Sequence, residues 1–444
     1  TPPLSYLWLQ SGVPLTNSAT VSGANQPHLR FPALAITNAG NYAVIVSNAQ
    51  GSVTSAVATV SVNAFGAPLA HGVFNTPGSA TATAVFGNIG YIADGASGVR
   101  MVNLTNLDNP TSFGAYAPTG SVFGLCLQTN LLYLALGSNG VAIVDVSTPE
   151  QPIHIGAFDT PGTALSLDVT NGRAFVADGV AGLRIFSVTN PASPTALGFL
   201  DTPGSASEVR VINNLAYVAD GAAGLSIISV TNVVAPVQVG SYSNAAPVNA
   251  VRVATNRAYL ANGNLGLQIL EVTNPAAPVS VGSYSATNAT ALDLVGNLVL
   301  LANGASGYVV LDVSNPAAIA LIGSADPGDT INGVVLLGNL AFLSSATDGL
   351  RLIELAGVAA VPPAFLRQPT NTAVLYGGTA QFQAWPAHGT PALTYRWYFN
   401  GLPVFNDARI AGADTTRLTI TNVGFADAGS YQLRVLGSAG VTNS

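Results

Sequence analysis

The chain contains no lysine: the thirteen basic residues among its 444 positions are all arginine, set against 20 acidic residues for a formal net charge of −7. They are scattered, which excludes the concentrated basic face that nucleic-acid binding needs. Only 7% of residues are charged while 49% are hydrophobic, yet no stretch approaches the roughly 18 to 20 uninterrupted apolar residues of a membrane helix. The apolar residues therefore belong to soluble cores, and the surface falls to Ser, Thr, Asn, Gln, Ala and Gly, a composition common in extracellular modules. The single cysteine, Cys126, excludes an intrachain disulfide framework and a multi-cysteine metal site. Its neighbourhood VFGLCLQ alternates like a buried strand, which predicts an inert core thiol.

What is present is strand and turn. Short runs of Val, Ile, Thr, Tyr and Phe are punctuated by 47 Gly and 27 Pro, so the whole chain reads as all-β. Its length suggests two to four domains at roughly 100 to 200 residues each. A repeat dominates the middle. Equivalent glycines stand at Gly72, Gly114, Gly156, Gly198, Gly240, Gly282 and Gly323, 42 residues apart five times and 41 once. Each unit carries three apolar runs, in the third ALSLDV, RAFVAD and GLRIFSV, then the turn TNPASP and a fourth run, TALGFL. Four short antiparallel strands in about 42 residues is the size of a propeller blade.

Runs such as VAIVDV (141–146) and YVVLDV (308–313) resemble the LVIVD repeat of bacterial and archaeal surface proteins. The resemblance covers about residues 66–357 and implies a β-propeller, but no common chemistry. The seventh unit stops after its third run, GLRLIEL (349–355), while APLAHGVF (67–74) supplies a fourth-type strand ahead of the first unit. The N-terminal strand is expected to complete the last blade and close a seven-bladed ring, removing an open edge.

On either side lie immunoglobulin-like signatures. YRWYFNG (395–401) with Trp397, followed by DAGSY (427–431) with Tyr431, resembles an I-set domain with its core Trp and tyrosine corner. The family's cysteine positions hold Ala384 and Leu433, so apolar packing must stand in for the disulfide. Residues 1–55 align without a gap onto 390–444, which sets Trp8 on Trp397 and Tyr42 on Tyr431, with Val44 at the second cysteine position. The expected organisation is a partial immunoglobulin-like domain (1–63), the propeller (66–357) and a second immunoglobulin-like domain (362–444). The first copy lacks its opening strands, which predicts either an excerpt of a longer tandem array or completion of the sandwich by a neighbouring subunit's strands.

Chemistry has few carriers. His28, His71, His154 and His388 lack metal-ligand spacing, and no nucleophile elbow, phosphate loop or His-Glu-x-x-His stretch occurs. Two acidic sets recur: Asp94, Asp178 and Asp220 in ADG turns, with Asn262 and Asn303 at equivalent places, and Asp159, Asp201 and Asp326 in loops leading into the first strands. Both sets should rim one end of the ring, either holding their own turns or forming a calcium or polar-ligand rim. The equivalent first-strand position reads Ala84, Cys126, Asp168, Arg210, Arg252, Asp293 and Val335, with Glu208 on the face of Arg210. Charges so deep require partners: an ion-pair network bridging blades, or a small-ligand site in the channel. Asn103 and Asn288 lie in glycosylation triplets.

These features predict an extracellular or cell-surface, prokaryotic, structural or adhesive protein, a segment or subunit of a larger assembly or filament. Its partners would be copies of itself or other surface proteins and glycans. No cofactor is called for beyond the candidate calcium. The alternative is a secreted propeller enzyme or ligand-binding protein using the channel charges.

Overall fold

The computed structural model describes residues 3–18, 21–31, 38, 40–60, 68–243 and 245–444. It divides into two compact units, Thr1–Gly66 and Ala67–Ser444. The domain boundary expected between residues 63 and 66 lies outside the described residues. Among those residues no helix is long and apolar enough to cross a membrane.

The second unit contains seven four-stranded antiparallel sheets, one per repeat. In the third these are Ser166–Thr170, Arg173–Ala177, Leu183–Ser187 and Thr195–Leu200. The seventh takes three strands from Ile331–Glu354 and its fourth from Leu69–Phe74, which pairs with Gly349–Glu354. Each first strand contacts the next, and the seventh contacts the first (Ala82–Phe86), giving a closed circular order. The cores lie between sheets. Tyr133, Val141 and Ile143 of the second pack on Leu167, Val169 and Val176 of the third, and Phe342 and Leu352 of the seventh pack on Ile92 and Val102 of the first. Strand alternation makes this possible, since a middle strand buried on both faces can serve two interfaces at once.

The recurring glycine now has a physical reason. In sheets one to six it sits at a register shift between the third and fourth strands, as Gly156 does opposite Ile143. A Cβ at Gly156 would stand 2.3 Å from the Pro191 carbonyl of the following repeat, and one at Gly240 would stand 1.9 Å from that of Pro275. Only glycine lets the next turn approach so closely. A second latch joins neighbours near the other end of the strands, where Gly179 bridges Ala206 and Gly221 bridges Val248.

The C-terminal part of this unit is a sandwich. Leu402–Pro403, Thr394–Phe399, Tyr431–Gly437 and Gly440–Asn443 form one sheet, and Ala380–Gln383, Arg417–Ile420 and Ile410–Ala411 form another. Trp397, Ala384 and Leu433 are all 0% exposed in one core cluster, so small and branched apolar side chains occupy the space of the family's disulfide. In the first unit, Ser5–Gln10 and Gly40–Asn48 pair at the centre of a five-stranded sheet. The gapless alignment carries over bond for bond. Trp8 Nε1 donates to Gln26 O at 2.9 Å and Trp397 Nε1 to Thr415 O at 2.9 Å; Tyr42 Oη donates to Asn38 O at 2.7 Å and Tyr431 Oη to Asp427 O at 2.9 Å.

Candidate functional site

The first strands bring four of the five predicted channel residues into one chain of contacts. Glu208 Oε1 accepts from Arg210 Nη2 and Arg252 Nη1, both at 2.7 Å, and its Oε2 accepts from Val251 N of the fifth sheet at 2.8 Å. Arg252 Nε donates to Asp293 Oδ1 at 3.1 Å, whose Oδ2 takes Leu336 N of the seventh sheet at 2.8 Å. Burial alone would raise the Glu208 carboxyl, but Arg252 and Arg210 outweigh it and hold it below the usual range. Burial likewise opposes the Arg252 charge, and Glu208 and Asp293 more than restore it.

Asp168 stands apart. Arg210 turns to Glu208 on its own strand, and Asp168 Oδ2 instead accepts Val211 N of the fourth sheet at 2.7 Å. Three carboxylates therefore perform one task, each capping a backbone N–H on a neighbouring sheet. Beside Asp168, burial pushes the half-buried Cys126 thiol up to about 11, so it stays protonated at neutral pH.

The ADG carboxylates do not meet as an ion site. Asp94, Asp178 and Asp220 are each 0% exposed, one per sheet. Each holds its own lead-in loop: Asp178 accepts from Thr160 Oγ1 at 2.6 Å and Gly162 N at 2.9 Å, Asp220 from Thr202 Oγ1 at 2.6 Å and Gly204 N at 3.0 Å, and Asp94 from Thr76 Oγ1 at 2.5 Å and Gly78 N at 3.0 Å. Asp159 accepts from Thr160 N, and Asp201 from Arg184 Nη2 at 2.8 Å. Asp326 caps Gly328 N. The two acidic sets act as separate turn braces, and no cluster of three His, Cys, Asp or Glu side chains suited to a metal occurs among the described residues. Asn303 does the same work for Thr287 and Asn288 through Oδ1 alone.

Because burial raises the Asp220 carboxyl, its ionised form is a liability at neutral pH. Asp220→Asn is expected to shift the melting temperature by no more than about 2 °C at pH 7, where Asp220→Ala orphans three donors, Thr202 Oγ1, Gly204 N and Ser226 Oγ, and loses about 2 to 3 kcal/mol. The wild type should gain on the Asn variant as pH falls from 7 to 4, since protonation of the raised carboxyl favours the folded state. Thermal melts of the three proteins across that range check both statements.

Several contacts carry no sequence signal. In the seventh repeat Ser345 stands where the first, third and fourth have Asp, and Asp329 stands where the first has Gly78. The hydroxyl of Ser345 and the N–H groups of Thr347 and Asp348 all donate to Asp329, so donor and acceptor have exchanged strands. These bonds hold the Asp329 carboxyl well below the usual range against the effect of burial. At the closing strand, His71 lies between Asp108 (2.7 Å) and Glu354 (3.3 Å). Burial lowers its pKa, but the two acids outweigh that and the net shift is upward.

A raised imidazole stabilises the fold below the unfolded value of about 6.5, and loses that contribution as pH climbs through the folded value. Asp108 is largely solvated, so the effect is modest. The melting temperature of wild type over His71→Gln is expected to be higher by about 1 to 2 °C at pH 5.5, and equal at pH 9. Differential scanning fluorimetry at both pH values resolves it. Of the triplet asparagines, Asn288 is exposed, and Asn103 caps its own turn by accepting Thr105 N at 2.9 Å. His28 is exposed and His154 bonds Tyr116 Oη at 3.0 Å, while the His388 side chain lies outside the described residues.

The LVIVD repeat model matches residues 77–117, 119–160, 161–202, 203–244, 247–287 and 286–326, more than half the chain. This chain belongs to the LVIVD-repeat family. An immunoglobulin I-set domain matches at 363–444. Among solved structures, this LVIVD-repeat chain is similar to the WD40 propeller domain of Doa1, at 12% identity and a TM-score of 0.52, over 66% of this chain and 97% of that one. It is also similar to the computationally designed Ika8 protein, at 9% identity and a TM-score of 0.51, over 64% of this chain and 99% of that one. At such identities the likeness concerns the fold alone. No curated protein sequence matches the chain.

Proposed function

We propose that this chain is a structural and recognitional element of an extracellular surface assembly. A closed seven-bladed ring spanning 66–357 would display its loops, and immunoglobulin-like modules at 1–63 and 362–444 would set spacing and reach. One observation carries the reading: the charges of the innermost strands are committed to joining one blade to the next. Glu208 serves two arginines and a neighbouring N–H, and Asp168 and Asp293 each cap a backbone group of the following blade. A ring so braced suits a rigid platform. Propeller and I-set modules together fit a protein-interaction or structural role.

The decisive experiment is electron microscopy of the native material, with immunogold labelling on intact cells. Expected are label on the outer surface and regular arrays with ring and sandwich in alternation. Label confined to the cell interior, or isolated particles only, would overturn the proposal.

A further inference from the structure

Where the hairpin of the first blade meets the C-terminal module, a cleft of about 370 Å³ opens, inside the range of roughly 300 to 1,000 Å³ typical of small-ligand sites. Nothing described above uses it. Its walls are aromatic from both sides: Phe86, Tyr91 and Phe113 from the first blade, Trp385 and Tyr395 from the module. Tyr91 is only 2% exposed overall, and its phenol, which lines the cleft, makes no hydrogen bond within the protein among the described residues. Tyr395 is half-buried, and its hydroxyl likewise makes no hydrogen bond within the protein among the described residues. Both hydroxyls line the cleft, where two unpaired phenol groups among aromatic walls offer hydrogen bonds to a polar ligand.

The charge around the cleft narrows the ligand. Glu150 and Asp414 at the lip are exposed, and the single guanidinium there, Arg417, already donates from Nε to Gln383 Oε1 at 3.0 Å. Two carboxylates against one guanidinium leave the lip net negative, which disfavours an anion. A purely apolar guest would leave both hydroxyls unsatisfied, whereas a quaternary ammonium would use the rings and ignore the hydroxyls. A sugar ring satisfies all three conditions, having one apolar C–H face for aromatic stacking and an edge of hydroxyls. The site is also preformed, since Asn88 fixes the module to the blade by two 2.7 Å hydrogen bonds to Leu393. Gly87 beside it lets the phenol in: a Cβ there would stand 3.2 Å from Tyr395 Oη.

We infer that this cleft binds a neutral saccharide, stacked on Trp385 and hydrogen-bonded by the hydroxyls of Tyr91 and Tyr395. This deepens the recognitional part of the proposed function by naming the partner's chemistry. Its test uses the purified chain in solution, so its failure would leave location and assembly untouched.

The test is calorimetric and tryptophan-fluorescence titration of the full chain with cellobiose, N,N′-diacetylchitobiose and lactose, with choline as the counter-probe. At least one disaccharide is expected to bind saturably and perturb the emission. Tyr91→Phe and Tyr395→Phe should each weaken it about tenfold, the worth of one hydrogen bond, and Trp385→Ala should abolish it. Both Phe variants should melt with the wild type, because the removed hydroxyls hold nothing in the protein. The inference is overturned if no disaccharide saturates, if binding survives in the double Tyr91→Phe/Tyr395→Phe variant, if choline binds more tightly than every sugar, or if the Phe variants are destabilised.

Discussion

Glu208→Ala is expected to lower the stability of the ring by about 3 to 5 kcal/mol, the usual cost of removing one partner from a buried ionic group. The carboxylate receives three donors, and its own side chain is 11% exposed, with Arg252 at 17% and Arg210 at 29%. Without it, Arg252 keeps Asp293 as its one carboxylate, with the Val251 carbonyl beside it, Arg210 keeps no carboxylate, and Val251 N loses its acceptor. The melting temperature should fall by about 6 to 12 °C at neutral pH. Arg210→Ala should do less than half as much, because Glu208 would retain Arg252 and Val251 N. Asp168→Ala should cost only the one orphaned N–H of Val211, about 1 to 3 kcal/mol. The pH dependence follows from the depressed Glu208 carboxyl. Its contribution is present above the unfolded value of about 4.3 and disappears as pH falls through the lower folded value. The gap between wild type and Glu208→Ala should therefore be flat from pH 5 to 8 and shrink only in stronger acid. An Arg210→Ala variant as damaged as Glu208→Ala would show that the carboxylate is not the keystone.

How far the sequence revealed these arrangements depends on whether the repeat preserves them. The 42-residue period, the four-strand unit and the pairing of residues 69–74 with the last repeat were legible because every unit spells the same alternation. The module copies were legible for the same reason, and the structure adds that Trp8 and Trp397 make equivalent indole bonds. The register also put Asp168, Arg210, Arg252 and Asp293 at equivalent places, but not their partners: an arginine side chain reaches along its own strand as easily as across to the next. Glu208 thus emerged as the hub only in three dimensions. Asp329 and Ser345 stayed hidden because comparing like positions cannot detect a donor and acceptor that have traded places.

Asn88 was hidden by the repeat itself. Asparagines recur in the same hairpin at 130, 214, 256, 297 and 339, so Asn88 reads as one more turn residue. In the second repeat, Asn130 turns inward to Asp145 and Ser147, and in the seventh Asn339 bonds Glu354. In the first, the 6%-exposed Asn88 instead donates to Leu393 O and accepts Leu393 N, clasping a backbone segment 305 residues away. Thr390 Oγ1 adds a bond from Val361 N at 2.7 Å. Asn88→Ala should orphan two buried backbone groups at about 1 to 3 kcal/mol each, enough to uncouple the module from the ring. Calorimetry is expected to split one unfolding transition into two, with the module melting first, and proteolysis to begin in the 356–363 segment. Asn297→Ala, at the equivalent turn of the sixth repeat, should leave the single transition intact. If both variants melt alike, the asparagine holds its hairpin and not the junction; if only Asn88→Ala divides the transition, the two bonds to Leu393 are what make ring and module one cooperative unit.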